Sequence, residues 1–146
     1  MTLVDRTAPA QSAALSFEFD LRHAPAKVWR ALTDPALLAR WLLPTIGFAL
    51  EPGKAFTLAA PPQEGWDGTV NCRVLKVEPQ RMLSYAWVVG DIDTVVTFRL
   101  TPAESGTLLS VVQSGFKPDQ KRNFGGARYG WKMMGGKLVE LLARLP

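Results

Sequence analysis

Residues 25–44, PAKVWRALTDPALLARWLLP, constrain the fold more than any other stretch of the chain. Val28, Trp29 and Leu32 recur at helical spacing, and Leu37, Leu38 and Trp41 repeat the pattern after a break. At the break, Asp34 is placed to cap a second helix and Pro35 to take its first position. Pro44 ends the pair. Helices this short draw their stability from packing an apolar face, so the rest of the chain must offer a larger surface for them to lie on.

Strands offer that surface. Residues 15–21 alternate, with Leu15, Phe17, Phe19 and Leu21 on one face. Six further strands are expected at 46–50, 55–59, 69–77, 82–88, 94–100 and 107–113. The segments between them, such as Glu51-Pro52-Gly53-Lys54 and Glu78-Pro79-Gln80-Arg81, are turn chemistry. Successive strands joined by short turns make an antiparallel meander.

From about Asn123 to Leu145 the period becomes helical, with Gly125-Gly126 offering the alternative of a short helix that ends there and a later start for the long one. Phe124, Ala127, Trp131, Met134, Leu138, Leu141, Leu142 and Leu145 form one stripe, with Lys132, Lys137, Glu140 and Arg144 opposite. A helix of ~20 residues spans roughly 30 Å, enough to cross a sheet of this size. The expected fold is α+β, a curved antiparallel sheet of about six or seven strands wrapped around a long C-terminal helix, with two short helices after the first strand. A single domain is expected over residues 15–146, preceded by a flexible arm at 1–14.

Composition narrows the chemistry. The arm lacks the apolar core of a secretory signal, and no run reaches the ~20 apolar residues of a membrane span, so a cytoplasmic protein is expected. The net charge of +4 concentrates at the C-terminal end, in Lys117, Lys121, Arg122, Arg128, Lys132, Lys137 and Arg144. Aromatic rings are not interleaved with these cations as a nucleic-acid surface requires, so no nucleic-acid partner is expected. The single cysteine, Cys72, reads as a small buried hydrophobe, and the single histidine, His23, as a solvated or capping loop residue. Neither a metal nor a cofactor is expected. The acidic residues fall at turns and strand ends, so no pair of carboxylates faces one site, and no catalytic residue is assigned.

The segments Ala24-Pro25, Val28-Trp29, Leu32 to Pro35 and Arg40-Trp41 resemble the first helical pair of the START-like superfamily (SRPBCC, helix-grip fold). Val74 to Pro79 with Arg81-Met82-Leu83 and Tyr85-Ala86-Trp87 resemble its central hairpin. Val96 to Pro102, Gly106-Thr107 and Gln113 to Phe116 resemble its last hairpin, and Gly130-Trp131 its C-terminal helix. Within the superfamily the chain is similar to the activator of heat-shock-protein-90 ATPase homologue family, in its small single-domain bacterial form. The chain departs from the family's pattern at Trp41-Leu42-Leu43-Pro44 and at Gln113, where a histidine is common.

The resemblance implies an apolar cavity between sheet and helix. Trp29, Trp41, Tyr85, Trp87, Phe98, Val111, Gln113, Phe116, Trp131, Met134, Gly135 and Leu138 are the expected lining. Each of these also reads as ordinary core. Gln113, if inward, needs hydrogen-bond partners, from Tyr85 or from a ligand. Gly135 lies on the apolar stripe, where glycine serves either close packing against a bulky strand residue such as Trp87 or free volume for a ligand. The first expected function is a non-enzymatic binding protein for a small apolar or aromatic molecule, lipid or polyketide-like. The family implies a second, a chaperone-ATPase activator acting in stress response, and its START-like relatives a third, a cyclase- or hydrolase-type enzyme. Met133 and Gly136 on the outer side of the last helix, or an exposed strand edge, offer a surface for a homodimer.

Overall fold

A computed structural model describes residues 2–8 and 13–146. Among them run β1 (Thr2–Asp5), β2 (Ala14–Leu21), α1 (Pro25–Thr33), α2 (Pro35–Trp41), β3 (Thr45–Ile46), β4 (Ala55–Ala59), β5 (Thr69–Glu78), β6 (Met82–Val89), β7 (Ile92–Ala103), β8 (Gly106–Ser114) and α3 (Lys121–Arg144). The strands make one antiparallel sheet in the order β1-β2-β8-β7-β6-β5-β4-β3. The meander from β3 to β8 therefore returns the last strand to the second, and the two short helices bridge the opening between β2 and β3.

The break in the helical pair forms as its sequence dictates. The Asp34 carboxylate accepts from the Ala36 N–H at 2.9 Å, and Pro35 opens α2. The Trp41 indole donates to the Ala31 carbonyl at 2.8 Å and ties the helices together. The alternation in β2, β7 and β8 holds, since Leu15, Phe17, Phe19, Leu21, Val96, Phe98, Leu100, Leu109 and Val111 are all buried against α3 and the helical pair. A register shift between Val74 and Lys76 leaves Leu75 outward and bends β5, which helps the sheet curl.

Three expectations change. The 46–50 strand shrinks to the two residues of β3, because Gly47 turns the chain away at a positive φ of 77°. The long helix begins at Lys121 and runs unbroken through Gly125-Gly126. Part of the arm expected at 1–14 is strand: Thr2–Asp5 pairs with β2 in the register Leu3↔Phe19, and β2 itself begins at Ala14. The rest of that expectation, residues 1 and 9–12, lies outside the described residues.

Asp5 holds β1 to the helix. Its carboxylate accepts from Arg128 Nε at 2.6 Å and from the Thr7 N–H at 2.9 Å, with Lys132 Nζ at 3.5 Å. Burial works against the charged form, but the bonds from Arg128 and Thr7 outweigh it and hold the pKa down at about 2. A carboxylate depressed in the folded state stabilises it above the unfolded pKa, and that contribution is lost as pH falls toward the folded value. Because Arg128 is 39% exposed, solvent screening limits the contribution to about 1 kcal/mol. Comparing acid unfolding of the wild type with Asp5→Asn should therefore show the stability difference vanish between about pH 4 and about pH 2.

Candidate functional site

Rings fill much of the space between α3 and the sheet. Phe98 lies at the centre, with ring centroids 6.5 Å from Trp41, 5.9 Å from Tyr85 and 6.1 Å from Trp131. Phe56 abuts Tyr85 at 5.2 Å, and Trp87 abuts Trp131 at 5.8 Å. Most of these contacts are edge-on or tilted, the arrangement that aromatic quadrupoles favour.

A buried polar chain crosses this core. The Trp131 indole donates to Gln113 Oε1 at 2.7 Å, and Gln113 Nε2 donates to Thr94 Oγ1 at 2.9 Å. Thr94 in turn donates to the Trp87 carbonyl at 2.7 Å. The amide of Gln113 is thus held between helix and sheet by Trp131 and Thr94 rather than by Tyr85, and its orientation is fixed because donor and acceptor each have one matching partner.

Open space begins beyond this chain. A cleft of about 460 Å³ lies between the first half of α3, the far ends of β6 and β7, and the 60–66 loop. Trp87, Gln113, Phe116, Trp131 and Met134 line it, five of the residues expected from sequence. The other expected residues do not. Trp41, Tyr85, Phe98, Val111 and Leu138 are buried among one another, where rings occupy the volume a ligand would need, and Trp29 is half-buried on α1 against the core. Gly135 serves packing. A Cβ there would stand 2.8 Å from Phe19 Cε2 and 2.9 Å from Cζ, so the glycine lets α3 press onto β2, not onto Trp87.

The sequence reading missed Trp66, Arg122, Asn123, Gly126 and Gly130, which also line the cleft. The signal for the glycines was available: Gly126 and Gly130 lie four residues apart and share a helix face. Neither packs closely. A Cβ at Gly126 would meet nothing within 4 Å, and one at Gly130 only Met134 Cε at 3.9 Å. Glycine on this helix thus lets α3 pack against the sheet at Gly135 and stands beside open space at Gly126 and Gly130 in the cleft and at Gly125 and Gly136 outside it.

Other candidates sit elsewhere. Burial pushes the Cys72 thiol up to about 12 and raises the Tyr85 phenol well beyond its usual range, so neither ionises near neutral pH. His23, expected as a solvated or capping loop residue, is half-buried. Its Nδ1 lies 3.1 Å from Lys27 Nζ and its Nε2 is buried without a partner; burial and the Lys27 charge lower its pKa, so the ring is neutral and accepts from lysine. A larger depression, about 540 Å³, lies on the convex face around Ile46, Thr57, Asn71, Arg73, Ala86 and Val88. It is formed by outward side chains of the pleat and opens to solvent, so it encloses a guest less well than the cleft does.

Residues 22–143 match the family model described as Activator of Hsp90 ATPase homolog 1-like protein. The chain belongs to this family. Among solved structures, a protein of Mesorhizobium loti (MLL2253) is similar, with 42% sequence identity, a TM-score of 0.85 and coverage of 91% of this chain and 98% of that one. CalU16 from Micromonospora echinospora is 28% identical at a TM-score of 0.75, covering 98% of this chain and 85% of that one. A Rhodobacter sphaeroides protein shares the fold at 24% identity and a TM-score of 0.76, covering 99% of this chain and 100% of its own. No curated protein matches the chain. As a member of the Activator of Hsp90 ATPase homolog 1-like family, the chain has the START-like helix-grip architecture that its sequence resembles. No helix among the described residues is long and apolar enough to cross a membrane.

Proposed function

We propose that this family member is a binding protein whose cleft holds a small, largely apolar molecule. One observation carries the reading: a cleft with aromatic walls stays open between α3 and the sheet, and the two glycines in its helical wall leave that volume free. A larger side chain at Gly126 or Gly130 would take up cleft volume, although each glycine costs a helix interior about 1 kcal/mol relative to alanine. The volume of about 460 Å³ falls within the roughly 300–1,000 Å³ of small-molecule sites. Trp66, Trp87, Phe116 and Trp131 give it aromatic walls. Among the described residues its polar lining is three amides and a guanidinium, groups that orient a guest rather than exchange protons with it. This favours binding over catalysis.

Native mass spectrometry of freshly purified protein, with organic extraction, tests the reading directly. A reproducible added mass that extraction removes is expected. In titrations with the neutral dye Nile red, Gly130→Leu, which projects a side chain into the cleft, should weaken binding at least tenfold. Its unfolding temperature should not fall, because the helix gains a better former where space is free. Unchanged dye affinity in that variant would place the dye elsewhere and overturn the assignment of the cleft.

The family's name supports a second reading, docking to a chaperone ATPase. Arg40, Lys137 and Arg144 surround a shallow groove of about 230 Å³ between α2 and the end of α3, with Glu140 as its one carboxylate. Such a face would attract an acidic partner, and stimulation of ATPase activity that weakens with added salt would support it.

A further inference from the structure

The cleft carries one charge. Arg122 is the only ionisable residue of its lining, and Asn123 stands beside it. Of the other cations of α3, Arg128 and Lys132 share Asp5 and Arg144 pairs with Glu140, whereas Lys121 and Lys137 have no ion pair among the described residues but lie outside the cleft lining. Arg122 has no ion pair among the described residues. The first turn of α3 holds no acidic residue, so nothing there offsets the positive end of the helix dipole. The nearby carboxylates, Glu64 on the 60–66 loop, Asp91, Asp93 at the start of β7 and Asp119, are exposed and do not line the cleft. An unpaired guanidinium at the rim of an otherwise uncharged, ring-walled cleft is a poor neighbour for a wholly apolar guest and a good one for a guest with one anionic end.

Resting on the cleft reading above, we propose that the occupant is an amphipathic acid. Its planar or chain-like apolar body lies against Trp87, Trp131 and the backbone exposed at Gly126 and Gly130, and its single carboxylate meets Arg122 and Asn123 at the rim. Arginine suits this place because its planar fork holds a carboxylate through two parallel N–H donors, while the asparagine amide supplies a neutral donor beside it.

The test compares 1-pyrenebutyric acid, ionised at neutral pH, with its neutral methyl ester by fluorescence titration. Wild-type protein is expected to bind the acid at least tenfold more tightly than the ester. Arg122→Gln should erase that preference by lowering acid affinity about tenfold while leaving ester affinity unchanged, which also shows that the variant is folded. Lys121→Gln, which removes the neighbouring cation outside the cleft lining, should keep the preference. Equal affinities of acid and ester in the wild type, or the same loss in both variants, would overturn the anionic anchor and leave the cleft reading standing. Binding of neither probe to the wild type would overturn both.

Discussion

Gly135→Leu should destabilise the protein by about 3 kcal/mol or more, the upper range for forcing extra volume into a packed core. A Cβ at Gly135 already comes within 3 Å of the Phe19 ring, which is only 1% exposed and has the core on its other sides. Leu3 Cδ1, at 3.5 Å, closes the space from the β1 side. The substitution must therefore move α3 away from β2 or expel the Phe19 ring from its rotamer. Gly136 is the internal control, since a Cβ there meets nothing within 4 Å. Gly136→Ala should raise stability by up to about 1 kcal/mol, so adjacent glycines of one helix should respond with opposite sign. Denaturant unfolding of the two variants measures this. A stable Gly135→Leu protein would mean that α3 does not sit against Phe19 and that the volume at this site is free.

Gln113→Leu should cost about 2–3 kcal/mol, because it leaves the Trp131 indole N–H buried without an acceptor. The loss should be strongly non-additive. In a Trp131→Phe background the stranded donor is gone, and the same Gln113→Leu change should cost much less. A double-mutant cycle in urea gives the coupling energy, and additive costs would show that the bond between Trp131 and Gln113 contributes nothing. The cycle bears on function too, because both residues line the cleft: the polar chain through Thr94 and Trp87 fixes the position of its floor.

The cleft and its surroundings show which kinds of information local sequence carries. The helical pair was legible in full, because Asp34, Pro35 and the apolar spacing act within a few residues of one another. The inward faces of β2, β7 and β8 were legible for the same reason, since alternation with period 2 is a local property of a strand. β1 was not. Four residues are too few to show a period, and what holds them is remote: pairing with β2 and an ion pair between Asp5 and Arg128, 123 positions apart. The short β3 was overestimated because the turn at Gly47 outweighs the apolar run that follows it.

The site divides along the same line. By itself the sequence determined the α+β class, the long helix with its stripe, and which side chains face inward, since each follows from residue type and short-range period. Only the tertiary structure decided which inward residues are core and which line open space. Trp87 and Trp131 border the cleft while Tyr85 and Phe98, with the same pattern, are enclosed by rings. It also decided that Gly135 is closed by Phe19 whereas Gly126 and Gly130 stand open. Free volume is set by how distant surfaces meet, through the curl of the sheet and the seating of α3, and no local pattern of residues encodes it.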